Sequence, residues 1–424
     1  MKLLIIGGGG REHALAWKMS HSSLVEEILV APGNAGTALE SKTRNVAIKA
    51  TDIQGLLTLA KEEKIDLTIV GPEAPLALGI VNTFIDNQLL CFGPTQEAAQ
   101  LESSKAYSKA FMQKYHIPTA SYAEFNAIEP ALAYIENHEY PLVIKADGLA
   151  AGKGVVIAQD KAQAQDCIHA MLNDLKFGDA SQKIIIEDFL EGEEASFIVI
   201  SDGNRYIPLA TSQDHKARDD GDKGPNTGGM GAYSPAPRVT PELHHKIMQQ
   251  VIEPTLIGMK DEGHPFVGFL YAGLMIDSND NIKVLEFNCR FGDPETQPIL
   301  MRLRSDLAEL CLNASQGQLN DKAIKWDKNP ALCVVLTEKG YPLTTKTHGE
   351  ITGIPKDSEH SKTFHAATLE KEGKLVTNGG RVLGVTTKAA TLEEAQQLAY
   401  EIADTIHCQY GFHYRRDIGN KALS

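Results

Sequence analysis

The segment VLEFNCRFGDPETQ, Val284–Gln297, concentrates the side chains best suited to chemistry. Glu286 and Asn288 stand two apart in a run that reads as a strand, so both side chains leave it on one face. A carboxylate beside an amide oxygen offers hard donors, which Mg²⁺ accepts while keeping waters and phosphate oxygens for its other positions. Arg290 continues the alternation with a guanidinium suited to a phosphate or a carboxylate. Buried on one face without a ligand, these three groups would be costly.

Two further segments suit a nucleoside triphosphate. In PLVIK, Lys145 ends an apolar run, and ADGLAAGKGV follows it. Gly148, Gly152 and Gly154 make that turn flexible and Lys153 adds a cation, so the loop could fold over phosphates and exclude water. The GxxxxGK[ST] pattern is absent, and a hairpin with a surface lysine would use the same residues. In IIIEDFLEGEEAS, Glu187 ends a buried strand and Glu194 follows within the same acidic segment. Backbone groups near Phe189 and Leu190 could pair with a base edge, leaving Glu194 to accept from ribose hydroxyls. Read alone, such an acidic cluster is ordinarily a solvated surface.

The N-terminus, KLLIIGGGGREHAL, sets glycines between a strand and a helix, a geometry that aims backbone N–H groups at an anion. It is not a dinucleotide fingerprint. His13 or Glu12 occupies the third glycine position, and Ala31-Pro32-Gly33-Asn34 stands where an acidic ribose ligand belongs. Four glycines exceed what a tight turn requires, so a phosphate or phosphosugar site is expected here.

Elements must hold these groups in place. Leu3–Ile6, Ile28–Val30, Val46–Ile48, Leu67–Val70 and Leu90–Phe92 read as buried strands alternating with helical patterns at Glu12–Met19, Ile53–Lys61 and Leu76–Ile85. That alternation predicts a parallel sheet covered on both faces, with ligands at the carboxyl ends of its strands. A helix near Ser103–Tyr115 leads into a small α+β stretch. An antiparallel region follows, interrupted by a polar loop, Asp214–Tyr233, and closed by one long helix, Thr296–Ala314. A strand-rich unit ends the chain, with a capping box at Thr391 and Glu394. The expected layout is an α/β and α+β multidomain chain: 1–103 a parallel sheet domain, 104–190 a linker helix and lid, 191–325 a catalytic sheet, 326–424 a cap.

The balance of 41 Lys+Arg against 55 Asp+Glu, a net charge of −14, argues against nucleic acid as a partner but not against small anions in a focused cleft. The six cysteines show no CxxC spacing, and no apolar run is long enough for a leader or a membrane span. A cytoplasmic chain is expected, and the absence of an apolar interface stripe suggests a monomer.

Taken in order, Lys145, the glycine loop, Glu187 with Glu194, and the strand of Glu286 and Asn288 resemble the ATP-grasp superfamily. Within it, GGGGREHA, APGNAG, GPEAPL, HKARDDGDKGPNTGGMGAYSP and EFNCRFGDPETQ resemble the glycinamide ribonucleotide synthetase family, over nearly the whole chain. The resemblance implies ATP-dependent ligation of glycine to 5-phosphoribosylamine through a glycyl phosphate, in purine biosynthesis. It implies ATP phosphates on Lys105 and Lys145 under the Gly148–Gly154 lid, adenine and ribose on Glu187 and Glu194, and Mg²⁺, or Mn²⁺ in its place, on Glu286 and Asn288. Arg290 is the candidate for stabilising the transition state. Gly9, Asn34, Glu73, Asp214 and Lys216 are expected to face the two small substrates, with Arg381 as a phosphate clamp. In one departure, Gly273 stands where many ATP-grasp enzymes carry a further acidic metal ligand.

Overall fold

The structure, a computed structural model, describes residues 1–149, 154–174, 182–320 and 324–423. Gly152 and Lys153 therefore lie outside the described residues. The apolar runs Lys2–Gly7, Glu27–Pro32 and Leu67–Val70 pair in parallel and, with Thr43–Asn45 and Cys91–Phe92, make a five-stranded sheet. Its order is Thr43–Asn45, Glu27–Pro32, Lys2–Gly7, Leu67–Val70, Cys91–Phe92. Leu4 and Ile6 pack into one apolar cluster and Leu3 and Ile5 into another, as a strand buried on both faces requires. The chain reverses direction across the sheet between Lys2–Gly7 and Leu67–Val70, so a crevice opens at their carboxyl ends.

Two expectations in this region are corrected. The edge strand is Thr43–Asn45 rather than Val46–Ile48, because a tight turn, Ile48 N–H to Val46 O at 2.7 Å, takes the chain off the ladder. Val46 and Ile48 still pack on the core as apolar side chains. The helix expected over Leu76–Ile85 is two, Glu73–Ala77 and Ile80–Asp86, parted at Gly79, whose φ of 80° no helix accommodates.

The stretch expected to act as a lid is an antiparallel sheet ordered Tyr122–Phe125, Ile184–Asp188, Leu142–Ala146, Val155–Ala158, with helices Ile128–Ile135 and Lys161–Leu172 contributing to one apolar core. The sheet expected to be catalytic is ordered Tyr206–Pro208, Glu193–Asp202, Val267–Ile276, Ile282–Asn288. Its last strand carries a bulge: Gly273 pairs with Glu286 and Leu274 with Val284, leaving Leu285 out of register. The bulge aims the Leu285 carbonyl away from the ladder, where Lys145 Nζ donates to it at 3.2 Å. The long helix expected over Thr296–Ala314 is Thr296–Arg302 and then Leu307–Ser315, because Asp306 caps a new helix by accepting from Ala308 and Glu309 N–H.

The C-terminal sheet is ordered Gln213–Asp214, Gly231–Ser234, Ala331–Glu338, Arg381–Lys388, Ser361–His365, with Phe412–His413 paired to Ala331–Glu338. Helix Leu392–Thr405 buries Ala395, Ala399 and Ala403 against it, and Thr391 and Glu394 form the expected capping box. The Asp214–Tyr233 segment is not a plain loop. Its ends are strands of this C-terminal sheet, and between them Ala217–Asp219 pairs with Lys223–Asn226. Among the described residues no helix is long and apolar enough to cross a membrane. No disulfide joins the six cysteines, five of which are buried.

Candidate active site

The N-terminal crevice, the strand Ile282–Asn288, the lid and the C-terminal sheet meet around a cavity of about 420 Å³. A narrower pocket of about 160 Å³ shares Lys145, Glu187, Lys216 and Glu286 with it. Lid residues Val143, Val155 and Ile157 and catalytic-sheet residues Met275 and Leu285 give the narrow pocket apolar walls. The extended segment through Phe189 and Leu190 runs along it, and Glu194 lines it as well. Apolar walls beside an exposed backbone edge suit a flat heteroaromatic ring.

Where the two cavities join, Lys145 Nζ lies 2.9 Å from Glu187 Oε1, and Lys109 Nζ lies 3.0 Å from Glu187 Oε2. Glu187 is thus a buried carboxylate shared by two ammonium groups. Burial pushes Lys109 down to about 8, with Glu187 pulling the other way. Lys105 Nζ donates to the carbonyls of Asp147 at 3.3 Å and Gly148 at 3.0 Å, pinning the first residues of the glycine loop. Burial lowers the Lys105 ammonium from its ordinary value. Leu149 and Gly154, at the two ends of the described loop, line the larger cavity.

Glu286 and Asn288 share one cavity wall. Burial alone would raise the Glu286 carboxyl, yet the cations Lys216, Lys145, Arg290 and Lys105 hold it below its ordinary value, so it is ionised. The Asn288 amide nitrogen donates to Glu102 Oε1 at 3.0 Å and to Phe287 O at 3.1 Å, which leaves the amide oxygen as the free end. An ionised carboxylate and an amide oxygen are a donor set for a hard cation. Gly273 lies directly across the ladder from Glu286.

Arg290 lies past the end of the strand rather than on it, because the chain bends after Asn288. Its guanidinium still lines the same cavity, with Nη2 3.0 Å from Glu102 Oε1 and Nε 3.4 Å from Glu73 Oε2. Burial pushes the Glu102 carboxyl up to about 7 even with Arg290 drawing it down.

On the opposite side, Lys216 Nζ lies 3.1 Å from Asp214 Oδ2 and 3.6 Å from Glu286 Oε1. Burial opposes its charge, but Tyr271, Asp214, Glu286 and Glu295 outweigh burial and keep Lys216 protonated. Glu295 accepts from Ser196 Oγ at 2.8 Å, and that hydroxyl lies 3.2 Å from the Tyr271 hydroxyl.

The far end of the larger cavity holds Arg11, Arg381 and Asp293. Arg381 donates to Asp293 Oδ2 at 2.6 Å, Asp293 O at 2.8 Å and Gly228 O at 2.6 Å. Gly9 N–H donates to Glu12 Oε2 at 2.7 Å, so this carboxylate occupies part of the helix N-terminus, while Arg11 Nε donates to Glu12 Oε1 at 2.6 Å. The glycines next to it are packed closely. A Cβ on Gly8 would meet Gly33 O at 2.6 Å, and one on Gly10 would meet Gln297 Nε2 at 2.8 Å.

Lys105, Lys145, Gly154, Glu187, Glu194, Glu286, Asn288, Arg290, Lys216, Glu73 and Arg381 therefore gather on two joined cavities. Asp214 reaches them through Lys216 and Gly148 through Lys105. Asn34 is placed apart: its amide bridges Gly8 O and His365 O, and its oxygen accepts from Gly36 and Thr37 N–H, bolting two domains together. Sequence reasoning missed Arg11, Glu102, Lys109, Asp293, Glu295 and Tyr271. Lys109 was within reach, since it stands four after Lys105 on one helix face. Glu102 offered no such signal.

Residues 1–102 match the family description Phosphoribosylglycinamide synthetase, N domain, residues 103–296 its ATP-grasp (A) domain, and residues 331–421 its C domain. Phosphoribosylamine–glycine ligase of Allochromatium vinosum is 56% identical over 425 residues, covering 100% of this chain and 99% of that protein. The protein of the same name from Escherichia coli O157:H7 is likewise 56% identical, with the same coverage. The crystal structure of phosphoribosylamine–glycine ligase from Thermotoga maritima superposes with a TM-score of 0.86 at 35% identity, over 99% of this chain and 100% of that one. The biotin carboxylase domain of Hydrogenobacter thermophilus 2-oxoglutarate carboxylase shares the fold, with a TM-score of 0.76 at 16% identity over 97% of this chain and 91% of that one. Built from all three domains of that family, and similar to its members from end to end, the chain belongs to the phosphoribosylglycinamide synthetase family.

Proposed function

We propose that this chain joins glycine to 5-phosphoribosylamine at the expense of ATP, releasing ADP, phosphate and glycinamide ribonucleotide. The observation that carries the reading is the joined pair of cavities, an apolar slot opening into a chamber of lysines, arginines and two oxygen donors. Adenine takes the slot along Phe189 and Leu190, and Glu194 accepts from the ribose. Lys105 and Lys145 neutralise the phosphates beneath the glycine loop. Glu286 and Asn288 would hold Mg²⁺, or Mn²⁺ in its place, which when bound draws charge from phosphate oxygens. Among the described residues no group of three or more His, Cys, Asp or Glu could hold a metal ion, and Mg²⁺ readily completes its shell with waters and phosphate oxygens.

The glycine carboxylate forms a bond to the γ-phosphorus as the bond to ADP breaks. The ribosylamine nitrogen then attacks the acyl carbon, phosphate leaves, and the amine proton departs with it. No side chain need act as a nucleophile. Positioning and charge neutralisation lower the barrier, with Arg290 and Lys216 facing the transferring group from two sides. Glu73, Asp214 and the Arg11–Arg381 end of the chamber are left to the two small substrates, with Gly9 beside Asp293. In this reading the chain works as a monomer, in a cytoplasmic setting that supplies the ATP and keeps the thiols reduced.

The test is phosphate release from Mg-ATP with glycine and freshly generated phosphoribosylamine, separately and together. Release that needs both, with glycinamide ribonucleotide formed in step, is the expected result. Silence with both, and turnover with another acid and amine, would overturn the substrate assignment.

A further inference from the structure

Glu102 belongs to the short helix Gln100–Ser103, 186 residues from Asn288, and its side chain is only 7% exposed. Its two oxygens receive two hydrogen bonds and one ion pair from three consecutive residues. Asn288 Nδ2 and Arg290 Nη2 each lie 3.0 Å from Oε1, and Cys289 N–H donates to Oε2 at 2.7 Å. A primary amide turned end for end keeps nearly the same shape, so only its hydrogen-bond partners decide which atom faces a cavity. For Asn288 both partners of the nitrogen, Glu102 Oε1 and Phe287 O, are acceptors. Reversing the amide would set its oxygen against both.

We infer that Glu102 is a positioning residue for the reaction: it turns the Asn288 oxygen toward the cation site and fixes the Arg290 guanidinium beside the transferring phosphoryl group. This rests on the reading that Asn288 and Arg290 face that cation and that group. Glu102 lines the larger cavity, but both its oxygens are engaged by Asn288, Cys289 and Arg290, so in this reading it acts through the side chains it holds. Its place in the N-terminal segment makes the cation site depend on how that segment docks on the catalytic strand.

The test uses the full-length enzyme and Mn²⁺ with ADP, following free Mn²⁺ by electron paramagnetic resonance beside steady-state rates. Glu102→Gln puts an amide nitrogen where an oxygen met donors. Mn²⁺ affinity is expected to fall about 10-fold or more and kcat with it, while KM for glycine stays within about twofold. Combining Glu102→Gln with Asn288→Asp exchanges donor and acceptor, and it is expected to recover most of the lost Mn²⁺ affinity that either change alone removes. Should Glu102→Gln not fold, Glu102→Asp keeps the charge but withdraws the oxygens, and the same weakening is expected. Wild-type Mn²⁺ affinity in Glu102→Gln, or a double variant no better than either single one, would overturn the inference. Asn288→Ala separates the layers. If it weakens Mn²⁺ binding while Glu102→Gln does not, only the positioning role fails. If it leaves Mn²⁺ binding unchanged, the cation reading fails as well.

Discussion

Lys145 is held before any substrate arrives, by Glu187 Oε1 at 2.9 Å and the Leu285 carbonyl at 3.2 Å. A lysine fixed in this way has already lost much of the rotamer freedom that binding would otherwise cost. Lys145→Met keeps the stem and removes the charge. We expect kcat/KM for ATP to fall about 100-fold, measured from initial rates at saturating glycine and phosphoribosylamine. Arg290 is held as a fork between Glu73 and Glu102. Arg290→Lys retains the charge but cannot reach both carboxylates from a single ammonium. A fall of about 10-fold or more in kcat is expected, with a smaller change in KM for ATP. A kcat within twofold of wild type would show that charge alone suffices there.

At the scale of elements, the start of Leu307–Ser315 after the break is capped by one side chain. Asp306 accepts from Ala308 N–H at 2.9 Å and Glu309 N–H at 3.2 Å, and Ser22 Oγ donates to it at 2.6 Å. The cap satisfies amides that would otherwise be orphaned at a helix start, and the serine ties that start to the N-terminal domain. Asp306→Ala is therefore expected to cost about 1–2 kcal/mol, read as a lower midpoint in urea unfolding, with kcat unchanged. The Leu285 bulge is another local device with a distant effect. Without it the Leu285 carbonyl would return to the ladder and Lys145 would lose one of its two anchors.

For the whole molecule, the seam between the first and last domains sets a polar cluster beside an apolar contact of Phe364 with Trp17. His13 Nδ1 accepts from His365 N–H at 2.7 Å, and its other ring nitrogen lies 2.9 Å from Glu40, which also meets Lys362 Nζ at 2.7 Å. Burial lowers His13 and keeps its ring neutral, so the charge pair at the seam is Glu40 with Lys362. Burial would raise the Glu40 carboxyl, but the hydrogen bonds from His13 and Lys362 hold it at about 2, against an ordinary 4.5. A carboxyl depressed in the folded state adds stability above its unfolded value and loses it as pH falls through the folded one. The seam should thus lose about 2 kcal/mol between about pH 4.5 and pH 2, a figure reduced for the exposed rim of Glu40. Urea unfolding across that range checks this, and Lys362→Met should flatten the slope.

The sequence by itself determined what is local. Glu286 and Asn288 share a face because strand side chains alternate, Lys145 ends an apolar run, and Thr391 with Glu394 caps a helix. Each of these is settled by neighbours within a few residues, and each reading held in the structure. Four strands of the parallel sheet were legible for the same reason, since a continuous apolar run leaves a mark in composition, whereas the polar edge strand Thr43–Asn45 left none. What only the tertiary structure decided is which distant groups meet. Glu102 and Asn288 carry no mutual signal across 186 positions. The Gly231–Ser234 end of Asp214–Tyr233 reads as loop because its pairing partner, Ala331–Glu338, lies far along the chain. The four glycines looked like an open anion loop, yet Gly33 and Gln297 crowd two of them. Hydrogen bonds across domain seams need no local pattern, only a docking geometry that the packed cores impose.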